Sequence, residues 1–210
     1  MFGETSVKKS TFIRHLRILG VLICVATALA GCKTLEPRQD SEAKSAYLRS
    51  GYACCNLHYN RDWISDSNLA QLPFIPAGTP INLNSISGYR AYVEVDGKSM
   101  RLGHDFGRAQ ESTEQWVNKI IALSDPRLKI AKFSPTVQKA IARGQLVKGM
   151  TKEQVIMAVG FPQTDHTPRL DAPMWRYWWS SFGPYYVHWS GNVVSKIDGH
   201  PETLSHVIYR

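Results

Sequence analysis

The chain has 210 residues, of which 43% are hydrophobic and 20% charged, a composition typical of a protein that folds around a core rather than of a disordered chain. Only one segment, near the N-terminus, is continuously apolar, which excludes a membrane protein with several spans. The formal net charge of +8 is spread along the chain without a basic block, so nucleic acid is not an expected partner.

The N-terminal segment has the pattern of a lipoprotein signal peptide. Four basic side chains between positions 8 and 17 precede an apolar run of 13 residues, from position 18 to position 30, which is too short to span a bilayer. The run ends in Leu29-Ala30-Gly31-Cys32, which resembles a bacterial lipobox. The resemblance implies cleavage after residue 31, lipidation of Cys32 and stable anchoring by the acyl chains. An ordinary signal peptide and an uncleaved anchor are the alternatives. Lys33 follows the cysteine where similar inner-membrane lipoproteins carry Asp, which favours the periplasmic side of the outer membrane.

Composition divides the rest of the chain into four parts. The first is polar and charged and is expected to be a flexible tether. The second contains short alternating segments and an Asp96-Gly97 pair typical of a type I′ hairpin, which predicts a small β-rich module, in one interpretation SH3-like. The predicted boundaries are 1–31 for the signal peptide, 32–50 for the tether, 51–110 for the β-rich module, 111–133 for a connecting helix and 134–210 for an α+β domain.

The connecting helix has a clear start signal. Ser112 is followed three residues later by Gln115, in the pattern of a capping box. Trp116, Ile120 and Leu123 then fall at helical spacing, so we expect one buried face that extends to Leu123.

The α+β domain contains the most regular pattern in the chain. Thr151 and Gln154 form a second capping-box pair, and we expect Gly160 to end this helix in left-handed backbone geometry. An earlier helix is predicted to begin at Ser134-Pro135. Three sequential antiparallel strands are predicted after the second helix, over 175–179, 185–189 and 193–197.

This order of elements resembles the SmpA/OmlA (BamE-like) family of outer-membrane lipoproteins. The resemblance covers about residues 137–198 and rests on Gly149-Met150-Thr151-Lys152-Glu153-Gln154-Val155, Val159-Gly160-Phe161-Pro162, the strand with Trp175 and Tyr177, and Gly191-Asn192-Val193-Val194 through Ile197. It implies two helices packed on a three-stranded antiparallel sheet. It also implies a non-catalytic accessory role beside the machinery that inserts β-barrel proteins into the outer membrane. The β-rich module has no counterpart in the small members of that family.

Two adjacent cysteines, Cys54 and Cys55, remain after removal of the signal peptide and lipidation of Cys32. Disulfides persist in the periplasm, so a vicinal disulfide, an intermolecular bridge and two buried thiols are the alternatives. We expect no metal site, because no second cysteine pair is present and His58 alone does not complete a tetrahedral ligand set. No other cofactor is expected either. A hydrolase with Cys55 as nucleophile lacks a recognisable histidine partner.

Aromatic residues are concentrated in the predicted strands of the α+β domain. Because side chains alternate between the faces of a strand, Trp175, Tyr177 and Trp179 should share one face, and Arg176 and Trp178 the other. If helices cover the first face, Tyr186 and His188 of the next strand share the second face with Arg176 and Trp178; the register between the strands does not follow from the sequence. Trp, Tyr and Arg dominate binding hot spots. These last four residues are therefore candidate partner-binding residues. The alternative is that the preceding module covers their face.

The loop from Gly103 to Arg108 also contains polar side chains that could act in a site, namely His104, Asp105 and Arg108. Asp and His beside glycines more commonly satisfy the backbone groups of a turn. A structural role is therefore expected for this loop in preference to a catalytic one.

These features predict a non-enzymatic, lipid-anchored protein on the periplasmic side of the outer membrane. Its expected role is to bind envelope proteins, with the β-barrel assembly machinery as one candidate, during envelope assembly or maintenance. The alternative is a lipoprotein that binds peptidoglycan through an SH3-like module.

Overall fold

The computed structural model describes residues 48–210, which belong to one compact unit. The predicted signal peptide, the lipidation site Cys32 and the tether up to residue 47 lie outside the described residues. Within residues 48–210 the chain is of the α+β class, as predicted, with a curled six-stranded sheet, a three-stranded antiparallel sheet, a short two-stranded sheet and five helices. No helix in this part of the chain is long and apolar enough to cross a membrane.

Strands and helices are numbered within the described residues. The strands are β1 (Arg49–Ala53), β2 (Leu57–His58), β3 (Trp63–Ser65), β4 (Phe74–Ile75), β5 (Pro80–Ser87), β6 (Arg90–Val95), β7 (Lys98–Gly103), β8 (Ile121–Ala122), β9 (Met174–Trp178), β10 (Pro184–Ser190) and β11 (Val193–Gly199). The helices are α1 (Thr113–Ile120), α2 (Arg127–Ile130), α3 (Pro135–Ala142), α4 (Lys152–Val159) and α5 (Pro201–Val207).

The six-stranded sheet has the order β3-β7-β6-β5-β1-β8. Strands β6 and β7 are joined by the predicted hairpin turn, in which Asp96 and Gly97 both have positive φ, at 48° and 76°, as a type I′ turn requires. Strand β1 begins at Arg49, so the last two residues of the predicted tether, Arg49 and Ser50, already belong to the sheet. Alternate side chains of β6, from Ala91 to Val95, are buried in the core on one side of this sheet.

Helix α1 begins as predicted but ends earlier. Ser112 caps it, and the reciprocal hydrogen bonds with Gln115 complete the capping box. The prediction that Leu123 continues its buried face is wrong, because the helix ends at Ile120 and Leu123 is 74% exposed. The next two residues form β8, which pairs antiparallel with the end of β1. Long-range strand pairing therefore ends the helix, and α1 packs on the six-stranded sheet through its buried side chains.

A second core lies between the three-stranded sheet and helices α3, α4 and α5. The sheet has the order β11-β10-β9 and is antiparallel throughout. Its inward face carries Trp175, Tyr177, Tyr185 and Val187, all buried. The Tyr177 hydroxyl donates a hydrogen bond to the Gly160 carbonyl at 3.1 Å, and burial raises the pKa of this hydroxyl far above its usual value. Tyr177 therefore attaches the end of α4 to the sheet as a neutral side chain.

Helix α4 is bounded by the residues that the sequence indicates. Thr151 caps it, with Gln154 completing the capping box. Gly160 has a positive φ of 80°, as expected, but its ψ of −176° is extended rather than left-handed helical. That combination is accessible essentially to glycine alone. A Cβ atom at Gly160 would also lie 2.3 Å from Asn68 Nδ2, because the helix end packs closely against the first module.

The two ends of α4 are expected to differ in their sensitivity to substitution. Thr151→Ala should lower the free energy of unfolding by about 1 kcal/mol, whereas Thr151→Ser keeps the hydroxyl and should cost little. Gly160→Ala should cost more than Gly149→Ala, because Gly149 has a similar φ of 89° but open space around its Cα. Urea melts of the four variants measure these differences. Equal effects at the two glycines would show that the contact with Asn68 contributes nothing.

Candidate functional site

The face of the three-stranded sheet that points away from the helices carries all four predicted partner-binding residues. Arg176, Trp178, Tyr186 and His188 are each partly exposed, between their buried neighbours. The alternation of faces is therefore the predicted one, and the structure adds the register between the strands. We refer to these four residues as the aromatic face.

Arg176 lies at the centre of the aromatic face. It pairs across the strands with Tyr186, which in turn pairs with Asp198 on β11. The Arg176 guanidinium carbon lies 4.3 Å from the centre of the Trp178 ring and 5.9 Å from that of Tyr186. Both distances are within the range of cation–π attraction. The structure thus brings three of the four predicted residues into direct contact.

His188 lies in the next row of the same face, opposite Met174 on β9 and Lys196 on β11. Its Nε2 atom is 4.0 Å from Asp198 Oδ2, and Lys196 Nζ is 3.0 Å from the same oxygen. The hydrogen bond from Lys196 lowers the pKa of the Asp198 carboxyl. The edge of the aromatic face along β11 therefore carries charges of both signs.

Three polar atoms of the aromatic face have no hydrogen-bond partner among residues 48–210. They are Arg176 Nε, Trp178 Nε1 and His188 Nε2, each shielded from solvent. Trp175 and Trp189 of the same sheet also have unpartnered Nε1 atoms, so this property does not distinguish the aromatic face. Because the three atoms are shielded, contact with a partner would involve the exposed parts of these side chains.

The first module forms backbone hydrogen bonds with the edge of the strand that carries Arg176 and Trp178. The backbone N–H of Ala70 donates to the Trp178 carbonyl at 3.1 Å, and that of Gln71 donates to the Trp179 carbonyl at 2.8 Å. The N–H of Arg176 on the same strand is bonded to Thr167 Oγ1 at 3.1 Å. The edge of β9 is thus covered, while the side chains of the aromatic face remain partly exposed.

A cleft of about 320 Å³ adjoins Trp178 at this edge. Phe106 from the loop after β7 lines the cleft, together with Leu69, Asp165 and His166. The His166 ring is 5.9 Å from that of Trp178. Two regions that are far apart in the sequence, the loop of Gly103 to Arg108 and the strand with Trp178, therefore meet at one concave surface.

His104 in that loop has a structural role, as expected. It is 1% exposed and stacks on the Trp116 ring at 5.4 Å. Its Nδ1 is 2.8 Å from Asp66 Oδ2, and its Nε2 is 3.0 Å from the Glu111 carbonyl. Burial raises the pKa of the Asp66 carboxyl, and the hydrogen bonds from the Phe106 and Asp105 amides oppose that shift. With both ring nitrogens bonded, His104 offers neither nitrogen to a substrate.

The other two polar residues of the loop also support its conformation. Asp105 forms an ion pair with Arg90 at 2.9 Å and accepts a hydrogen bond from Ser65. Arg108 donates to the His104 carbonyl at 2.9 Å and lies over the Tyr89 ring. These contacts connect the loop to β3 and β6, and none of them arranges a nucleophile beside a base.

The sulfur atoms of Cys54 and Cys55 are bonded as a vicinal disulfide. Cys55 is fully buried in the first core, and Cys54 is partly exposed in a cleft of about 460 Å³. Lys129, Lys152 and Phe161 also line this cleft. The disulfide therefore lies between the six-stranded sheet and helix α4, a position that the sequence does not indicate.

His58, close to the disulfide in sequence, is buried as a neutral side chain. Its Nδ1 donates to the Leu72 carbonyl at 2.7 Å, and burial lowers its pKa. The unfolded chain, with a histidine pKa of about 6.5, therefore takes up a proton at higher pH than the folded chain does. The contribution of neutral His58 to the free energy of unfolding should be fully present above the unfolded-state pKa. It should be lost as the pH falls from there towards the folded-state pKa.

The expected result is a drop in unfolding free energy between pH 7.5 and pH 5 that is smaller in His58→Gln than in wild type. Denaturant melts of both proteins at the two pH values measure it. The same drop in both proteins would show that His58 does not titrate in this range.

Comparisons of the chain with protein-family models, with curated proteins and with solved structures give no match. Within the described residues, no group of three or more His, Cys, Asp or Glu side chains is arranged to hold a metal ion.

Proposed function

We propose that the protein is a lipid-anchored, non-catalytic binding component on the periplasmic side of the outer membrane. Its role is to contact other envelope proteins during envelope assembly or maintenance. The lipobox-like sequence before Cys32 supports the location. The observation that carries the binding role is the aromatic face, where Arg176 lies over Trp178 and Tyr186 and all four side chains are partly exposed.

The chemistry of the aromatic face suits a protein partner. Trp, Tyr and Arg combine a large apolar area with a polar group, and they supply most of the energy at protein interfaces. Asp198 and Lys196 stand at its margin, as charged residues do at the rim of an interface.

Residues 134–210 are proposed to be a BamE-like module, which makes the β-barrel assembly machinery the first candidate partner. Support comes from the order of α3, α4 and β9 to β11 and from the capped start of α4. Helix α5 and the β-rich first module are additions to the two-helix, three-strand arrangement of that family. Because of these additional elements, we propose a role in the envelope that is related to that of the family but involves different protein contacts.

A non-enzymatic role accounts for the polar residues of the first module. Both nitrogens of His104 are bonded within the protein, and Asp105 and Arg108 are bonded to neighbouring groups of the same module. Their chemistry is used inside the fold, so the aromatic face is the surface that we assign to function.

Site-specific photocrosslinking in cells tests this proposal. A photoreactive amino acid replaces Tyr186 in the aromatic face or, as a control, Tyr92, which is 43% exposed on the six-stranded sheet. Crosslinks to outer-membrane or periplasmic proteins are expected from position 186 and not from position 92. The proposal fails if both positions give the same products or if position 186 gives none.

The alternative function, binding to peptidoglycan, is favoured by a separate groove of about 400 Å³ in the first module. Tyr59 and Phe74 supply aromatic walls, and Arg61, Asp62 and Lys98 supply charges of both signs. Peptidoglycan peptides carry both amines and carboxylates, which match such a lining. Co-sedimentation of the Cys32→Ser protein with purified cell-wall sacculi, abolished by Lys98→Glu, would support this function; recovery entirely in the supernatant would exclude it.

A further inference from the structure

Asn56, directly after the vicinal disulfide, joins the first module to two helices of the second. It is 1% exposed. Its Nδ2 donates to the carbonyls of Ile141 at 2.7 Å and Ala158 at 2.9 Å, at the ends of α3 and α4. Its backbone N–H donates to the Met157 carbonyl at 3.1 Å, and its Oδ1 accepts from the Ala77 N–H at 3.1 Å. We call this set of four hydrogen bonds the Asn56 joint.

The disulfide and the Asn56 joint are consecutive in the chain. The Cys54 N–H is bonded to the Ile120 carbonyl at 2.9 Å, so the segment is held by α1 on one side and by α4 on the other. Because Cys54 and Cys55 are adjacent, their disulfide restricts the backbone and side-chain rotations immediately before Asn56. Breaking the S–S bond would release those rotations next to the joint.

We propose that Cys54–Cys55 is a reversible redox site, opened by a dithiol that enters the cleft beside Cys54, and that its reduction loosens the Asn56 joint. Cys54 is the point of attack, because it is partly exposed and lines the cleft, whereas Cys55 is fully buried. Reactivity of sulfur towards thiols requires access. The partner class is therefore a dithiol, either a small molecule or a protein with a pair of exposed cysteines.

The reaction balances as an ordinary thiol–disulfide exchange. A thiolate of the dithiol attacks Cys54 Sγ, the S–S bond breaks, and the Cys55 sulfur leaves as a thiolate that takes up one proton. The second thiol of the partner then attacks the mixed disulfide, displacing the Cys54 sulfur, which takes up the other proton. The protein gains two electrons and two protons, and the dithiol is oxidised to a disulfide.

The charges around the cleft suit a thiolate. Lys129 and Lys152 line it, with Glu153 as the one acidic side chain among the lining residues. Glu153 is already paired with Lys129 at 2.5 Å, and Lys152 Nζ is bonded to the Leu170 carbonyl at 2.6 Å. The positive surplus should attract an incoming thiolate and stabilise the Cys54 thiolate that forms in the second step.

The point of attack is tested with single-cysteine variants of the Cys32→Ser protein. In these variants Cys24, in the predicted signal peptide, is also replaced by Ala. Cys55→Ala leaves Cys54 alone, and Cys54→Ala leaves Cys55 alone. With glutathione disulfide as the probe, mass spectrometry should detect the adduct on Cys54 at least roughly tenfold faster than on Cys55. Equal or reversed rates would overturn the assignment of Cys54 as the entry point.

The structural consequence is tested by hydrogen exchange on the Cys32→Ser protein before and after treatment with dithiothreitol. Intact mass should rise by two hydrogens, and the amides of Asn56 and Ala77 should exchange several-fold faster in the reduced protein. The amide of Val93, in the middle of the first sheet, is the internal control and should not change. A protein that also carries Cys54→Ala and Cys55→Ala should behave as the reduced form with or without dithiothreitol. A pair that stays oxidised, or reduction that leaves Asn56 and Ala77 unchanged, would overturn the proposal.

Discussion

Replacing Cys32 by Ser is expected to release the protein from the outer membrane into the soluble periplasmic fraction. Cys32 is the residue that the lipobox-like sequence marks for acylation. Two or more acyl chains provide stable attachment to a bilayer, whereas a single chain gives only marginal, reversible binding. The loss of all chains should therefore change the distribution from nearly complete sedimentation with membranes to nearly complete solubility.

Fractionation of cells that express wild type, Cys32→Ser and Lys33→Asp measures this effect. Lys33→Asp retains the acylated cysteine and should stay in the membrane pellet, with a shift towards the inner membrane. If Cys32→Ser still sediments with outer membranes, lipid is not the anchor.

Asn56→Ala is expected to lower the free energy of unfolding by about 3–5 kcal/mol, well beyond the loss of the Thr151 cap. The change leaves the Ala77 N–H and the Ala158 carbonyl without the partner that Asn56 supplies, whereas the Ile141 carbonyl still accepts from the Gly144 N–H. A buried polar group without a partner costs about 1–3 kcal/mol. The effect is therefore large even though a single uncharged side chain is shortened.

Two control variants make the Asn56 measurement specific. Asn56→Asp is nearly the same size, but it replaces both donated hydrogen bonds by a carboxylate facing two carbonyls, so it should destabilise at least as much as Ala. Asn192→Ala removes the same group at an exposed position and should cost less than about 0.5 kcal/mol. A loss below about 1 kcal/mol for Asn56→Ala would mean that the joint contributes little to stability.

Local signals in the sequence predict the parts of this fold that depend on local chemistry. The two capping boxes, at Ser112 and Thr151, and the Asp96-Gly97 turn follow from interactions within four residues. Side-chain alternation likewise predicts which residues of a single strand share a face, such as Arg176 and Trp178. Because the interacting residues lie close together in the sequence, these features can be recognised from a single sequence.

Features that depend on distant partners are not predictable in this way. The end of α1 is set by the pairing of Ile121 with Ala53, and the alignment of Arg176 with Tyr186 depends on the register of two strands. Asn56 has no local signal at all, because its side-chain partners lie 21, 85 and 102 residues further along the chain. Helix α5 could have been recognised from Pro201, which occupies the first turn.

The aromatic face is the centre of the proposed function, and Trp178 is the residue that tests it. As an interface residue, it should contribute to binding, so Trp178→Ala should weaken recovery of the partner by about 1 kcal/mol or more in free energy. The same variant should melt close to wild type, because Trp178 is partly exposed and its ring stacks against Arg176 on the outer side of the sheet.

The most direct measurement therefore combines two readouts on one pair of proteins, wild type and Trp178→Ala. Detergent-solubilised envelopes are crosslinked and the protein is recovered, while denaturant melts record its stability. We predict a loss of recovered envelope proteins with a nearly unchanged free energy of unfolding. A loss of about 3–5 kcal/mol in stability, the cost expected for a buried large aromatic residue, with unchanged recovery of partners would contradict the proposed function and assign the aromatic face to the internal packing of the protein.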